Sequence, residues 1–251
     1  MIRALVTGGA AGIGLAIVRR FHAAGMRLLT CDVDEAGLAR AAAEMPGLET
    51  LRCDVSRAAE VETLFGAVER DLGGLDVLVA NVGIGGPTLP TDELPGADWQ
   101  RVLDINLTGT FEVTRRAIPL LKASGGGTII IMSSAAGRYG YPNRIAYATS
   151  KWGLVGFAKT LAMELGPFDV TANAILPGAV GGERYDRVIA GRAAISGRSA
   201  EEEMRLGLAS QSLKRVVDPA HVADLALFLT TPAGRSISGQ ALPIDCDLQH
   251  G

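Results

Sequence analysis

The sequence predicts a single α/β domain built on a doubly wound parallel β-sheet of about seven strands, with helices on both faces. Short, near-continuously apolar runs alternate with longer amphipathic stretches from one end of the chain to the other. Strands that are apolar throughout, rather than at every second residue, are covered on both faces. Their alternation with helices at this spacing implies right-handed strand–helix–strand units. Composition agrees: 251 residues, 48% hydrophobic and 20% charged, with 32 glycines, suit a large core and many tight strand-to-helix turns.

The elements follow in order. The strand "IRALVT" runs into the glycine turn "TGGAAGIG" and a helix over 12–24. "RLLTCDV" ends on Asp32 before a helix over 34–44, and "LETLRCDV" ends on Asp54 and Val55 before one over 57–71. "LDVLVANV" precedes a long helix over 96–123, and "GTIIIMSS" ends on Ser134 before a helix over 147–166. "VTANAILPG" leads into a polar segment over 181–215, rich in arginine and glycine, which breaks the rhythm and reads as short mobile helices forming a lid. A helix over 218–230 and the strand "QALPID" close the domain. No repeat or linker divides it.

A net charge of −3 gives no footprint for nucleic acid. No apolar run reaches the ~18 residues of a membrane span, and Met1 leads straight into "IRALV", leaving no room for a signal peptide. Three cysteines, an odd number without zinc spacing, point to a reducing, cytoplasmic setting and to no metal. Cys31 and Cys53 each precede an aspartate at a strand end and are expected to be neighbouring buried thiols.

The first turn carries Gly8, Ala11, Gly12, Ile13 and Gly14. Its glycines run G-x-x-x-G-x-G, not the G-x-G-x-x-G dinucleotide fingerprint, but the physics is shared. A backbone without side chains approaches a pyrophosphate closely, and the next helix offers free N–H groups and a positive dipole end. Eighteen residues after Gly14, Asp32 stands where an acid accepts hydrogen bonds from the adenosine ribose and repels a 2′-phosphate. With no Arg or Lys in the turn, the cofactor is expected to be NAD. Asp34 and Glu35 are alternative ribose partners, and Asp54 and Val55 fit an adenine pocket wall.

In "AYATSK", Tyr147 and Lys151 lie one helical turn apart, where i and i+4 side chains share a face. Of the four tyrosines, only Tyr147 has a lysine at that position. An ammonium there stabilises phenolate and draws a phenol down from its usual value near ~10. Ser134 stands thirteen residues earlier, and Asn106 lies within the long helix. With these residues the sequence resembles the short-chain dehydrogenase/reductase family, in its branch of about 250 residues. The glycine turn, "ANVG" at 80–83, "INLTG", Ser134, "YATSK", "PG" at 177–178 and "SGQALPID" carry the resemblance over nearly the whole chain.

That resemblance implies a single NAD-binding Rossmann domain. It also implies an NAD-dependent oxidoreductase that interconverts a secondary alcohol and a ketone. Tyr147 would be general acid or base, Lys151 would support it and bind the nicotinamide ribose, and Ser134 would polarise the substrate oxygen. Asn106 would hold a water linking Lys151 to solvent. Asn81, Gly83, Pro177, Gly178 and Val180 would join the cofactor contacts. Three departures stand out. Val82 replaces a usual alanine, Gly182 a usual threonine that holds the nicotinamide carboxamide, and Ile244-Asp245-Cys246-Asp247 a usual "VDGG".

Arg138, Tyr141 and Asn143, with Ser134 and Tyr147, are the expected substrate residues, and Arg184 or Arg187 in the lid is an alternative grip. A bidentate arginine suits a polar hydroxy compound such as a sugar, polyol or hydroxy acid. The apolar stripes of helices 96–123 and 147–166, with Phe111, Val113, Leu154 and Phe157, imply the homotetramer common in the resembling family. Two rivals remain. One is a 3-ketoacyl-carrier-protein reductase using Arg115 and Arg116 against an acidic carrier, which Asp32 disfavours. The other is a non-catalytic nucleotide-binding protein, which has no use for a tuned phenol.

Overall fold

The computed structural model describes residues 1–249, apart from the side chains of Arg184 and Ile195. Its strands are β1 (Arg3–Thr7), β2 (Arg27–Asp32), β3 (Glu49–Arg52), β4 (Val77–Ala80), β5 (Gly127–Met132), β6 (Val170–Pro177) and β7 (Ala241–Ile244). They form one parallel sheet in the order β3-β2-β1-β4-β5-β6-β7. The order reverses between β1 and β4, which opens a crevice at the carboxyl edge where such sheets bind ligands.

The near-continuous apolar runs have the expected cause. Leu5, Ile129 and Ile131 face one core with Val61 and Leu64 of α3 (Ala58–Ala67), Val113 and Leu121 of α5 (Gly109–Ala123), and Leu154 and Leu161 of α6 (Ile145–Leu165). Ala4, Val6, Ile130 and Met132 face the other core with Ile17 and Phe21 of α1 (Gly12–Ala23), Ala41 of α2 (Glu35–Glu44), and Val222 and Leu229 of α9 (Pro219–Leu229). Alternate residues of each strand therefore enter different cores, and neither face is wet. Of the outer strands, β7 exposes every second residue and β3 exposes its two ends.

Two expectations are refined. The helix expected over 96–123 is α4 (Gly96–Leu103) and α5 joined by a π-turn at Asp104–Thr108, where the Gly109 N–H reaches back five residues to the Asp104 carbonyl. The segment over 181–215 holds two helices, α7 (Glu183–Ser196) and α8 (Ala200–Gly207), the first longer than the short elements expected. Its far end is clasped by the tail. The Ser212 and Leu213 N–H groups donate to Asp247 and Cys246 carbonyls at 3.0 and 3.1 Å. The three cysteines are free, with Cys31 and Cys53 buried. The hydrogen bond that the Cys31 thiol gives to Cys53, and then burial, push it well above its ordinary range.

At the opposite edge of the sheet, Arg3 grips Asp76 through Nε at 2.9 Å and Nη2 at 2.6 Å, and its main-chain N–H adds a third bond at 2.8 Å. The Arg3 hydrogen bond holds the Asp76 carboxyl below its ordinary range against the effect of burial. A depressed carboxyl stabilises the fold above its unfolded pKa of roughly 3.9, and the contribution is lost as pH falls through the lower folded value. Asp76→Asn is expected to cost about 1 kcal/mol at neutral pH. The difference from wild type should vanish in acid when urea unfolding is followed against pH.

Candidate active site

The cofactor half is built on the turn between β1 and α1. Gly8 and Gly9 donate their N–H groups to the Cys31 carbonyl at 2.7 and 3.2 Å, which pins the turn to the end of β2. Gly14 passes so close to Gly8 that a Cβ there would lie 1.9 Å from the Gly8 carbonyl oxygen. No side chain caps α1 and no acid lies in its first turn, so its leading N–H groups and positive end face the crevice edge. Ala11 and Gly12 are exposed there, with Ile13 half-buried beside them. This cradle fits a dinucleotide pyrophosphate.

Asp32 stands beside the turn and binds it: Oδ2 accepts from the Ala10 N–H at 3.1 Å, and Oδ1 from Val33 and Asp34 at 2.7 and 3.2 Å. The cap of α2 is Asp34, which accepts from the Gly37 N–H at 3.0 Å. Asp54 is turned onto Ser56, whose N–H and Oγ donate at 3.0 and 2.7 Å, and Val55 is buried where it packs on Gly109. Asn81 spends its amide on the turn, donating to the Thr7 and Gly8 carbonyls at 3.1 and 3.2 Å. It therefore acts on the cofactor site through the backbone of the turn.

The reacting half lies where β5 meets α6. Lys151 is 3% exposed, and its Nζ donates to the Met132 carbonyl at 2.8 Å. That nitrogen stands 5.7 Å from the centroid of the Tyr147 ring. Ser133 Oγ donates to the Lys151 carbonyl at 2.8 Å, and the next residue, Ser134, accepts from the Ala136 N–H at 3.2 Å. Asn106 is fully buried inside the π-turn. Its Oδ1 accepts from the Ile84 N–H at 2.7 Å, and its Nδ2 donates to the Ile84 carbonyl at 2.9 Å and to Ser150 Oγ at 3.0 Å. Ser150 in turn donates to the Tyr147 carbonyl at 2.7 Å. A Cβ on Gly83 would lie 3.1 Å from Lys151 Nζ and 3.4 Å from Asn106 Oδ1, so the loop after β4 closes on both.

Asn106, through Ser150, and Lys151, through Met132, thus tie the π-turn and the end of β5 to the helix that carries Tyr147. Residues 8–247 match the family model described as enoyl-(acyl carrier protein) reductase. D-beta-hydroxybutyrate dehydrogenase of Cupriavidus necator is 35% identical over 248 residues, spanning 96% of this chain and 95% of that protein. The chain belongs to the short-chain dehydrogenase/reductase family. It is an oxidoreductase, and its named relatives are dehydrogenases and reductases acting on CH–OH or keto groups. Two solved short-chain dehydrogenase/reductase structures share the fold. Actinorhodin polyketide ketoreductase with NADPH superposes with a TM-score of 0.93 at 34% identity, covering 97% of this chain and 95% of that one. NAD⁺-bound xylitol dehydrogenase superposes at 0.92 with 30% identity, covering 97% of each.

On the substrate side, this short-chain dehydrogenase/reductase departs from expectation. Tyr141 stands edge-on to Tyr147, ring centroids 6.4 Å apart, and its hydroxyl accepts from Arg192 of α7 at 3.1 Å. Arg138 is about half exposed and lies 3.8 Å from Asp245, its guanidinium stacked over Tyr139. Asn143 is exposed with a left-handed backbone, φ 61°. A second cation beside the Tyr147 ring is Arg144, whose guanidinium carbon lies 5.4 Å from its centroid. Its signal was present in the sequence: Arg144 precedes Tyr147 by three residues, on the same helical face that Lys151 follows by four. The side chain of Arg184 lies outside the described residues.

The departures from the family pattern have physical accounts. Val82 packs beneath the glycine turn, 3.2 Å from where a Gly8 Cβ would sit. Gly182 has φ +121°, a backbone a β-branched threonine does not adopt without strain, so the chain here is shaped for glycine. Pro177 ends β6, and Gly178 donates its N–H to Ile244 at 3.0 Å, packing on Asp245. Val180 bridges to Val217 and so ties the root of α7 to the approach to α9. Cys246 and Asp247 hold the left-handed conformations usually left to glycines, φ 59° and 56°. Tyr139 donates to the Leu248 carbonyl beyond them at 2.8 Å. Gly14→Ala is expected to weaken NADH binding roughly tenfold or more, because a methyl group against the Gly8 carbonyl must displace the turn. A fluorescence titration with NADH measures it.

Proposed function

We propose that this protein is an NAD-dependent dehydrogenase that interconverts a secondary alcohol and a ketone on a polar hydroxy compound, a sugar, polyol or hydroxy acid. The observation that carries the reading is the buried Lys151 ammonium beside the Tyr147 ring, next to an uncapped helix end. NAD, when bound, supplies the hydride acceptor. Tyr147 takes the hydroxyl proton during oxidation and returns it during reduction. Lys151 stabilises the negative charge that this leaves on the phenol oxygen and binds the nicotinamide ribose. Ser134 donates a hydrogen bond to the substrate oxygen. Asn106 has its amide engaged by Ile84 and Ser150 and its main-chain carbonyl accepting from Thr110 Oγ1 at 2.8 Å, and the second lone pair of that carbonyl is read as holding the water that relays protons from Lys151 to solvent.

For the adenosine end, the support for NAD is Asp32, a carboxylate at the edge of the turn. The cations nearest it have acid partners: Arg52 binds Glu60 at 2.7 Å, and Arg40 lies 3.7 Å from Asp34. Asp54, Val55, Gly83, Pro177, Gly178 and Val180 are read as flanking the same cofactor, with Asn81 acting through the turn. The segment over 181–215 is read as a lid, supported by the Arg192–Tyr141 bond. Three free thiols suit the cytoplasm.

A homotetramer is supported by Phe111 and Trp152, 46% and 51% exposed, beside an apolar hollow of about 430 Å³ lined by Leu107, Phe111, Gly153 and Phe157. Val113 and Leu154, expected on that face, instead belong to the core. The second reading, a ketoacyl-carrier-protein reductase, draws support from the family description and the ketoreductase likeness. Against it, Arg115 and Arg116 are both engaged by Glu112 rather than held out for an acidic carrier.

Tyr147→Phe is expected to lower kcat roughly 10²- to 10⁴-fold with a panel of alcohols, while NADH binding by fluorescence stays as in wild type. Wild-type turnover in that variant would remove the assigned acid/base. Asp32→Ala is expected to reduce the preference for NAD over NADP about tenfold or more, by restoring room and removing repulsion for a 2′-phosphate. Paired KM measurements with the two cofactors read it.

A further inference from the structure

Arg144 opens α6 one turn before Tyr147, and its guanidinium lies to one side of an edge-on pair of rings, 5.5 Å from the Tyr141 centroid and 5.4 Å from that of Tyr147. Its polar partners are neutral. Nη2 donates to the Gly85 carbonyl at 3.1 Å and Nη1 to Thr88 Oγ1 at 3.4 Å. Nε is buried with no hydrogen-bond partner. Among the described residues no carboxylate lies within ion-pair distance of it, whereas Arg138 has Asp245 and Arg115 has Glu112. The side chain as a whole is only partly buried, and its charge meets no protein counter-charge among the described residues, which leaves room for an anion to supply one.

We infer that Arg144 is the residue that grips a carboxylate of the substrate, which makes the substrate a short hydroxy acid. This deepens the dehydrogenase reading and rests on Tyr147 as its acid/base. Nε–H and a remaining Nη N–H form a fork that matches the two oxygens of one carboxylate. A sugar or polyol hydroxyl would satisfy the nitrogen but leave the charge uncompensated. The contact with the Tyr147 ring requires the carboxylate to lie only a few bonds from the carbon that bears the reacting hydroxyl. Arg192 adds positive potential from the other side of Tyr141. Glu203 is engaged by Ser196 at 2.6 Å and Arg198 at 3.0 Å.

The test uses full-length protein with NAD and a panel of α- and β-hydroxy carboxylates, their methyl esters and neutral polyols. NADH formation and the thermal shift produced by each carboxylate are both measured. Wild type should prefer acids over esters. Arg144→Gln should lower kcat/KM for acids by about 30-fold or more beyond any loss on the matching esters, with NADH binding retained, and Arg144→Lys should recover part of that difference. Esters or polyols turned over as well as acids would overturn the proposal, as would an equal loss on every substrate in Arg144→Gln. Carboxylate binding that depends on Arg144 without any turnover would uphold the anion site and remove the dehydrogenase reading. Absence of both would overturn the site.

Discussion

A reciprocal clamp between the end of β5 and the middle of α6 sets the geometry on which the site depends. Lys151 sends its ammonium to the main chain of Met132, while Ser133 sends its hydroxyl to the main chain of Lys151, each at 2.8 Å. Each partner thus supplies one side chain and one carbonyl. The strand and the helix cannot slide past one another without losing both bonds in a buried place, where an unmade hydrogen bond is costly. Gly137 seals the joint, since a Cβ there would lie 2.5 Å from Ser133 Oγ and 2.6 Å from the Lys151 carbonyl oxygen. Ser134, Tyr147 and Lys151 are thereby held in one relation before any ligand arrives.

The second brace comes from the π-turn. Widening one turn of the helix puts Asn106 wholly inside the protein, where it holds Ile84 by both main-chain groups and reaches α6 through Ser150. The loop after β4, the long helix and α6 therefore move as a unit around the crevice. The cofactor end is fixed by different means, through main-chain bonds from the turn to Cys31 and through the carboxylate of Asp32. The two sets of contacts thus share the carboxyl edge of the sheet but have separate supports. The Arg3–Asp76 pair lies at the other edge and serves stability alone.

Much of this was legible in the residues themselves. Apolar runs such as "GTIIIM" could only belong to strands covered twice, and both cores are present. Tyr147 and Lys151 share a helical face because their spacing requires it. The substrate side was read less well. Arg138 and Asn143 are close to Ser134 in sequence, but a short helical turn and a left-handed residue send them elsewhere, and Arg144 takes the place beside the phenol. Val113 and Leu154 were expected outside and lie inside, because a stripe wide enough to serve an interface also serves the core.

Sequence by itself determined the strand–helix order, the glycine turn, the acid at the end of β2 and the phenol–ammonium pair, since each follows from local spacing along one strand or one helix. Tertiary structure alone decided that Asn106 and Asn81 act as braces and that Lys151 is buried against β5. Those facts depend on contacts between segments far apart in the chain, where a change of one residue in a turn redirects every side chain that follows it.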